Sequence, residues 1–201
     1  MSQEQRLEMG MIIVREFEGR YKNGKLQVYY LPAEDTGGDY EIAGINDKYH
    51  PHEAKELRGL IEEDGRHEAA ETQAAAYIVS YTNPVVNFFP SESLANANPN
   101  IEFLLRDCAF NRGNRGAATI LQIAIGMSDI DGVIGPQSKK AFAKWLEKPA
   151  DLALMIKDAR EEYERNTYPW KSNKRDESSS LWKGLASRWE KAHNASQQFI
   201  A

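Results

Sequence analysis

The chain has 201 residues, 41% of them hydrophobic and 27% charged, a size and balance that fit one globular domain or a domain with a small lobe. Its net charge of −5 argues against nucleic acid as a partner, and no apolar run approaches the roughly 20 residues of a membrane-spanning helix, so no membrane insertion is expected. The single cysteine, Cys108, excludes an internal disulfide, and His50, His52, His67 and His193 show no zinc-ligand spacing with it. Neither a metal nor a cofactor is expected.

From Gln3 to Glu18, Leu7, Met11 and Val14 fall at helical spacing, and Glu18 falls on the same stripe. This predicts an amphipathic helix whose last core-side position holds an acid. Gly19 and the turn "KNGK", Lys22 to Lys25, end it. "LQVYYL", Leu26 to Leu31, and "YEIAGI", Tyr40 to Ile45, are β-branched and aromatic, with the turn "PAEDTGGD" between them. They predict a short hairpin, or a sheet of two or three strands. Everything later reads mainly as helix. The first is "HPHEAKELRGLIEE", with Pro51 near its start, and the next is "RHEAAETQAAAYIVSYT". "TNPVVNFFPSESLANANPN", Thr82 to Asn100, is rich in Pro, Asn and Ser and is expected to be the long connection between lobes. Beyond it come "NIEFLLRDCAF", where Cys108 is expected to be a buried small hydrophobe, then "RGAATILQIAIGM" and "GPQSKKAFAKWLEK". "ADLALMIKDAREEYERNTY" and "SSLWKGLASRWEKAHNA" complete the set, with an exposed charged loop at Lys171 to Ser180. The fold class is therefore mainly α, with a small β-hairpin near the N-terminus.

Glu18 carries the chemical interest. A carboxyl group facing a core loses solvation and holds its proton more tightly. A general acid needs that property when the leaving group is a sugar oxygen. Asp35 sits in a glycine-containing turn beyond a strand, and a hairpin returning beside the helix end would bring it opposite Glu18. Tyr21 is placed to line the same cleft or to bond the acid. Glu16 competes with Glu18 for the role, and Glu34, Asp39 and Glu41 compete with Asp35.

Two later stretches add polar groups. "AFNRGNRGAATILQIAIG", Ala109 to Gly126, is read as an Asn/Gly/Arg turn opening a helix. Asn111 or Arg115 would then cap that helix or face a polar polymer. "SDIDGVIGP" places Asp129 and Asp131 before Gly132, like the opening of a calcium loop. Lys140 stands where the closing bidentate acid belongs, so a plain turn before a Pro-started helix is expected.

Taken in order, "FEGRY", "DTGG" and "AGI" resemble the start of glycoside hydrolase family 108, the N-acetylmuramidases. That family typically reads Glu-Gly-Gly-Tyr, then Asp-Pro-Gly-Gly-x-Thr, then Tyr-Gly-Ile. "AFNRGNRGAATILQIAIGMSDIDGVIGPQSKKAF" resembles its C-terminal, peptidoglycan-binding-type region, and "EEYERNTYP" with "LWKGLASRWEKA" resembles its closing helices. Three departures stand out. Gly19-Arg20 replaces Gly-Gly. The segment between Glu18 and Asp35 is longer by about a strand. Asp39-Tyr40-Glu41 follows the Gly-Gly turn where the family has its threonine.

The resemblance implies a lysozyme-like helical domain that cleaves the bond between N-acetylmuramic acid and N-acetylglucosamine in peptidoglycan. Glu18 would be the proton donor. Asp35 would hold or activate a water, or stabilise positive charge at the sugar. Tyr21, Asp39, Tyr40, Glu41 and Asn111 would contact substrate. A catalytic lobe is expected over residues 1–98 and a helical lobe over 99–201, forming one unit. Two other readings stand beside it: a peptidoglycan-binding module without catalysis, and a chitinase-like glycosidase. The acidic "SQEQRLE" before "MGMIIV" lacks the positive start of a secretory signal. The expected setting is a protein made in the cytoplasm and carried to the wall by a secretion system or a phage holin. An immunity protein is an expected partner if the chain is a secreted effector.

Overall fold

The computed structural model describes residues 1–32, 38–166 and 177–200. The chain divides into two compact units, Ser2–Tyr81 and Thr82–Ala201. Eight α-helices stand among the described residues, with two small antiparallel sheets near the N-terminus.

In the first unit, helix α1 (Gln3–Ile12) begins at a capping box, in which the Ser2 hydroxyl accepts from the Gln5 N–H and the Gln5 side chain accepts from the Ser2 N–H. The helix then widens into a π-helical segment, Ile13–Glu18. Strands β1 (Tyr21–Lys22) and β2 (Lys25–Leu26) form a hairpin closed by Asn23 and Gly24, both with positive φ (53° and 73°). That is the tight turn an Asn-Gly pair favours. Strands β3 (Tyr29–Tyr30), β4 (Tyr40–Ile42) and β5 (Ile45–Asn46) make the second sheet, in the order β3-β4-β5. The "LQVYYL" run is therefore split between two sheets, and "YEIAGI" folds back on itself through Ala43 and Gly44.

Helix α2 (Pro51–Glu62) starts with Pro at its first position, and α3 (His67–Tyr81) crosses α1 closely. Gly10 permits that approach, since a Cβ there would lie 2.5 Å from the Ala75 carbonyl oxygen. The core of the unit joins Met9, Ile13 and Val14 to Leu26, Ile42, Ile45, Leu57, Ala74 and Ile78, all fully or almost fully buried. At roughly 1.5–3 kcal/mol per large apolar side chain, this burial is what holds such short strands in place.

The second unit opens with a 3₁₀ segment, Asn83–Phe88, and helix α4 (Glu92–Ala97). The stretch expected as a long irregular connection is thus largely helical, and it buries Val85, Phe88, Phe89 and Ala95. Helix α5 (Pro99–Ala124) is the axis of the unit, and α7 (Pro149–Asn166) and α8 (Ser180–Ser196) pack along it. The predicted Asn/Gly/Arg turn is a break inside the span of α5: Gly113 leaves helical geometry there (φ 72°, ψ 165°), and two helical halves meet at it. Glycine adopts that φ without steric cost.

Charges along α5 are matched by partners of opposite charge. Arg106 bonds Glu102, Thr82 (3.0 Å) and Asn83 (3.4 Å). Asp107 accepts from Arg160 (2.5 Å) and Arg188 (2.7 Å), and Arg112 pairs with Glu164. Cys108 lies fully buried beside them, and loss of solvation pushes its thiol up to about 11. Helix α6 (Pro136–Trp145) anchors through Phe142, whose ring lies 5.0 Å from that of Phe89. The charged loop expected at Lys171 to Ser180 falls mostly outside the described residues.

Candidate active site

Glu18 is the last residue of the π-helical segment, where the chain leaves for β1. The Gly19 N–H donates to the Val14 carbonyl, five residues back, at 2.7 Å. The core-facing side of the helix also differs from the predicted stripe. The residues it buries are Met9, Gly10, Ile13 and Val14, while Leu7 and Met11 are only half-buried. Leu7 and Met11 stand in the regular part of the helix, so the predicted stripe is not its core-facing side, and Glu18 at the end of that stripe is half-buried. Glu16, the competing acid, is exposed.

The turn after Glu18 accepts only glycine at its first position. A Cβ on Gly19 would lie 2.5 Å from Cε2 of Tyr21 and 2.7 Å from the Val14 carbonyl oxygen. The backbone itself is ordinary there (φ −72°, ψ 139°), so the demand is one of space. The Tyr21 ring folds back over Gly19, which explains why the glycine and the tyrosine occur together.

Tyr21 extends that contact across the unit. Its phenol donates to Oε1 of Glu71 on α3 at 3.0 Å, and Arg15 Nε donates to the same oxygen. Burial first, and then the bond to Glu71, holds the Tyr21 phenol well above the ordinary tyrosine range. The bond to Glu71 likewise raises the Arg15 guanidinium. A cleft of about 590 Å³ opens beside them, lined by Met11, Arg15, Tyr21, Gly24, Glu68 and Glu71. Of the predicted site residues, Tyr21 lines this cleft. Sequence reasoning missed Glu71 and Arg15. A glutamate among alanines on a helix, "EAAETQAAA", was the one signal that pointed to them.

Asp35 and its competitor Glu34 lie outside the described residues. The glycine at the end of their turn is described. Gly38 has φ 117°, and a Cβ there would fall 2.2 Å from Oδ1 of Asp47. That same oxygen accepts from the N–H groups of Asp39 (2.9 Å) and Tyr40 (3.3 Å), so Asp47 fixes the return of the chain into β4.

The three residues that follow Gly38 part company here. Asp39 is exposed. Tyr40 is 8% exposed, with Arg58 4.9 Å above its ring, so it packs the sheet onto α2. Glu41 is half-buried on the opposite face of β4, directly across from Tyr29 and Asn46. Tyr29, which sequence reasoning did not single out, is 38% exposed on this face and lies under Arg20 at 5.1 Å.

Asn111 belongs to the second unit, two residues before the α5 kink, and is half-buried. Its carbonyl accepts from its neighbour Arg112 at 3.1 Å. In the same unit, the "DGVIGP" loop is organised by one side chain. The Gln122 amide donates to Asp131 Oδ1 (2.8 Å) and the Val133 carbonyl (3.0 Å), and accepts from the Gly132 N–H (2.8 Å). Asp131 Oδ1 also accepts from the Val133 N–H, and these hydrogen bonds hold its carboxyl below the usual range. Gly132 has φ 73° and sits against the stem of Arg115. Leu121-Gln122 and the later Asp-Gly-x-Ile-Gly-Pro run are therefore two halves of one structural device.

The mainly-α architecture with a small antiparallel β region near the N-terminus is the one expected from the sequence. Among solved structures, the chain is similar to the structure of Brucella abortus SagA. The TM-score is 0.59 and the identity 21%, and the match covers 98% of this chain and 97% of that one. At that identity the likeness shows a shared fold over nearly the whole length. No protein-family model matches the chain, and no curated protein matches it.

Proposed function

We propose that the chain is a peptidoglycan glycan hydrolase, an N-acetylmuramidase of the family 108 kind, with Glu18 as its proton donor. The observation that carries this reading is the Glu18-Gly19-Arg20-Tyr21 turn. A carboxyl group is held half-buried at a π-helical terminus, by a glycine that admits no side chain and a tyrosine locked over it. Wide helical turns of this kind gather at functional sites. The fold shared with SagA over the full chain supports the architecture that the reading needs.

In this mechanism Glu18 protonates the glycosidic oxygen as its bond to the anomeric carbon of N-acetylmuramic acid breaks. A water supplies hydroxide to that carbon. Its proton passes to a second carboxylate, which the family resemblance assigns to Asp35. The test is mass spectrometry of products from purified peptidoglycan, for wild type beside Glu18→Gln. Fragments ending in reducing N-acetylmuramic acid, absent with the variant, are the expected result. Equal release by both proteins would sink the assignment.

The second reading is a wall-binding module without catalysis, and the Gln122-tied loop favours it, because that loop is fully built. It requires sedimentation with cell-wall sacculi and no new reducing ends.

A further inference from the structure

We infer that Glu71 is the positioning residue of the Glu18 turn, acting through Tyr21 and Arg15. The inference rests on the reading of Glu18 as proton donor. Glu71 lies on a face of α3 whose neighbours Ala70, Ala74 and Ala75 are fully buried, and it is itself only 8% exposed. A carboxylate so placed loses hydration and needs strong partners. Both of its partners flank Glu18. Arg15 precedes Glu18 by three residues within the π-helical segment, and Tyr21 follows it by three. One oxygen, Oε1, accepts from both, with Tyr21 at 3.0 Å.

The geometry ties this clamp to the turn. Held by Glu71, the Tyr21 ring closes over Gly19 and leaves no room for a Cβ. One turn earlier on α3, His67 Nδ1 lies 2.8 Å from the carbonyl oxygen of Leu26, the cross-strand partner of Tyr21. Helix α3 thus grips the β1–β2 hairpin at both strands. Rotation of the Tyr21 ring would free Gly19 to move, and Glu18 with it. Because Oε1 is shared by a phenol and a guanidinium on either side of Glu18, Glu71 is assigned positioning; it also lines the cleft, and the KM of its variants separates positioning from a substrate contact.

The test uses the full chain and four proteins: wild type, Glu71→Ala, Glu71→Gln and Tyr21→Phe. Two readouts are taken. One is the kcat and KM of glycan release. The other is hydrogen exchange at the Gly19 and Gln27 amides, which bond Val14 and Arg20 across the turn. In Glu71→Ala both amides should exchange at least about tenfold faster, with amides of the α5 core unchanged. Its kcat should fall at least about tenfold while KM stays within about threefold. Glu71→Gln keeps an acceptor for Tyr21 and should recover most of both. Tyr21→Phe should reproduce the alanine variant and carries the test if that variant fails to fold. Unchanged exchange in Glu71→Ala and Tyr21→Phe overturns the inference. So does a raised KM with kcat intact, which would make Glu71 a substrate ligand. A glutamine variant as inactive as Glu18→Gln also overturns it. If wild type releases no glycan, the hydrolase reading fails, and the exchange rates still decide whether Glu71 holds the turn.

Discussion

The phenol of Tyr21 and the carboxylate of Glu71, fifty residues apart, meet at 3.0 Å beside the turn that follows Glu18. That bond makes the Glu-Gly-Arg-Tyr segment a tertiary feature, because the tyrosine needs α3 to hold it over the glycine.

Removing the proposed acid should abolish chemistry and leave binding. A positioned general acid contributes about 10²–10⁴ in rate. Glu18→Gln should therefore reduce release of reducing sugar by at least about a hundredfold, with sedimentation on sacculi unchanged. Loss of sedimentation together with activity would mean that the substitution disturbs the fold.

Two glycine-to-alanine substitutions should move stability in opposite directions. At Gly19 a methyl group would overlap Tyr21 and the Val14 carbonyl, so Gly19→Ala should lower the melting temperature and, on the proposed reading, activity. Overpacking of this kind costs about 1–3 kcal/mol. At Gly59, inside α2, nothing lies within 4 Å of an added Cβ. Gly59→Ala should stabilise by about 0.5–1 kcal/mol through helix propensity alone. Calorimetry of the two variants checks both signs.

The loop tied by Gln122 should loosen when its amide is lost. Gln122→Ala leaves the buried Gly132 N–H without its acceptor, while the Val133 carbonyl keeps the Gly135 N–H. An orphaned buried group costs about 1–3 kcal/mol. Urea unfolding should show that loss, with faster hydrogen exchange at Gly132. An unfolding midpoint equal to that of wild type would show that the loop holds without the glutamine.

Acid should attack the buried Asp107 cluster. Burial alone would raise the Asp107 carboxyl, but Arg188 and Arg160 outweigh it and hold the group below its ordinary range. A depressed folded value means that the charged form stabilises the fold. Its contribution is present above the unfolded value of about 3.9 and is lost as pH falls through the lower folded value. Asp107→Asn leaves Arg160, only 2% exposed, short of its counter-charge, a change that costs about 3–5 kcal/mol. The gap in urea midpoint between wild type and Asp107→Asn should be widest near neutral pH and narrow below about pH 4. A gap independent of pH would assign the cost to packing.

Short-range signals were legible in the residues alone. The Asn23-Gly24 turn, Pro51 at a helix start and the Gly-Pro opening of α6 all act within four residues. Local sterics and hydrogen bonding settle such features without help from the rest of the chain. They establish a mainly-α chain with its small strands near the N-terminus, and they locate Glu18 at a helix end. Apolar spacing does not distinguish an α-helical last turn from a π-helical one, so the wide turn ending in Glu18 is visible only in the folded unit, whose core takes Met9, Ile13 and Val14. The "NRGN" stretch reads locally as a break, and Gly113 does leave helical geometry there, between two helical halves of α5. Glu71 with Tyr21, Gln122 with Gly132 and Asp107 with Arg160 are each a polar group whose partner lies beyond the reach of local chain geometry. Only the tertiary structure pairs them, because it removes water from both groups at once and makes each the other's remaining partner.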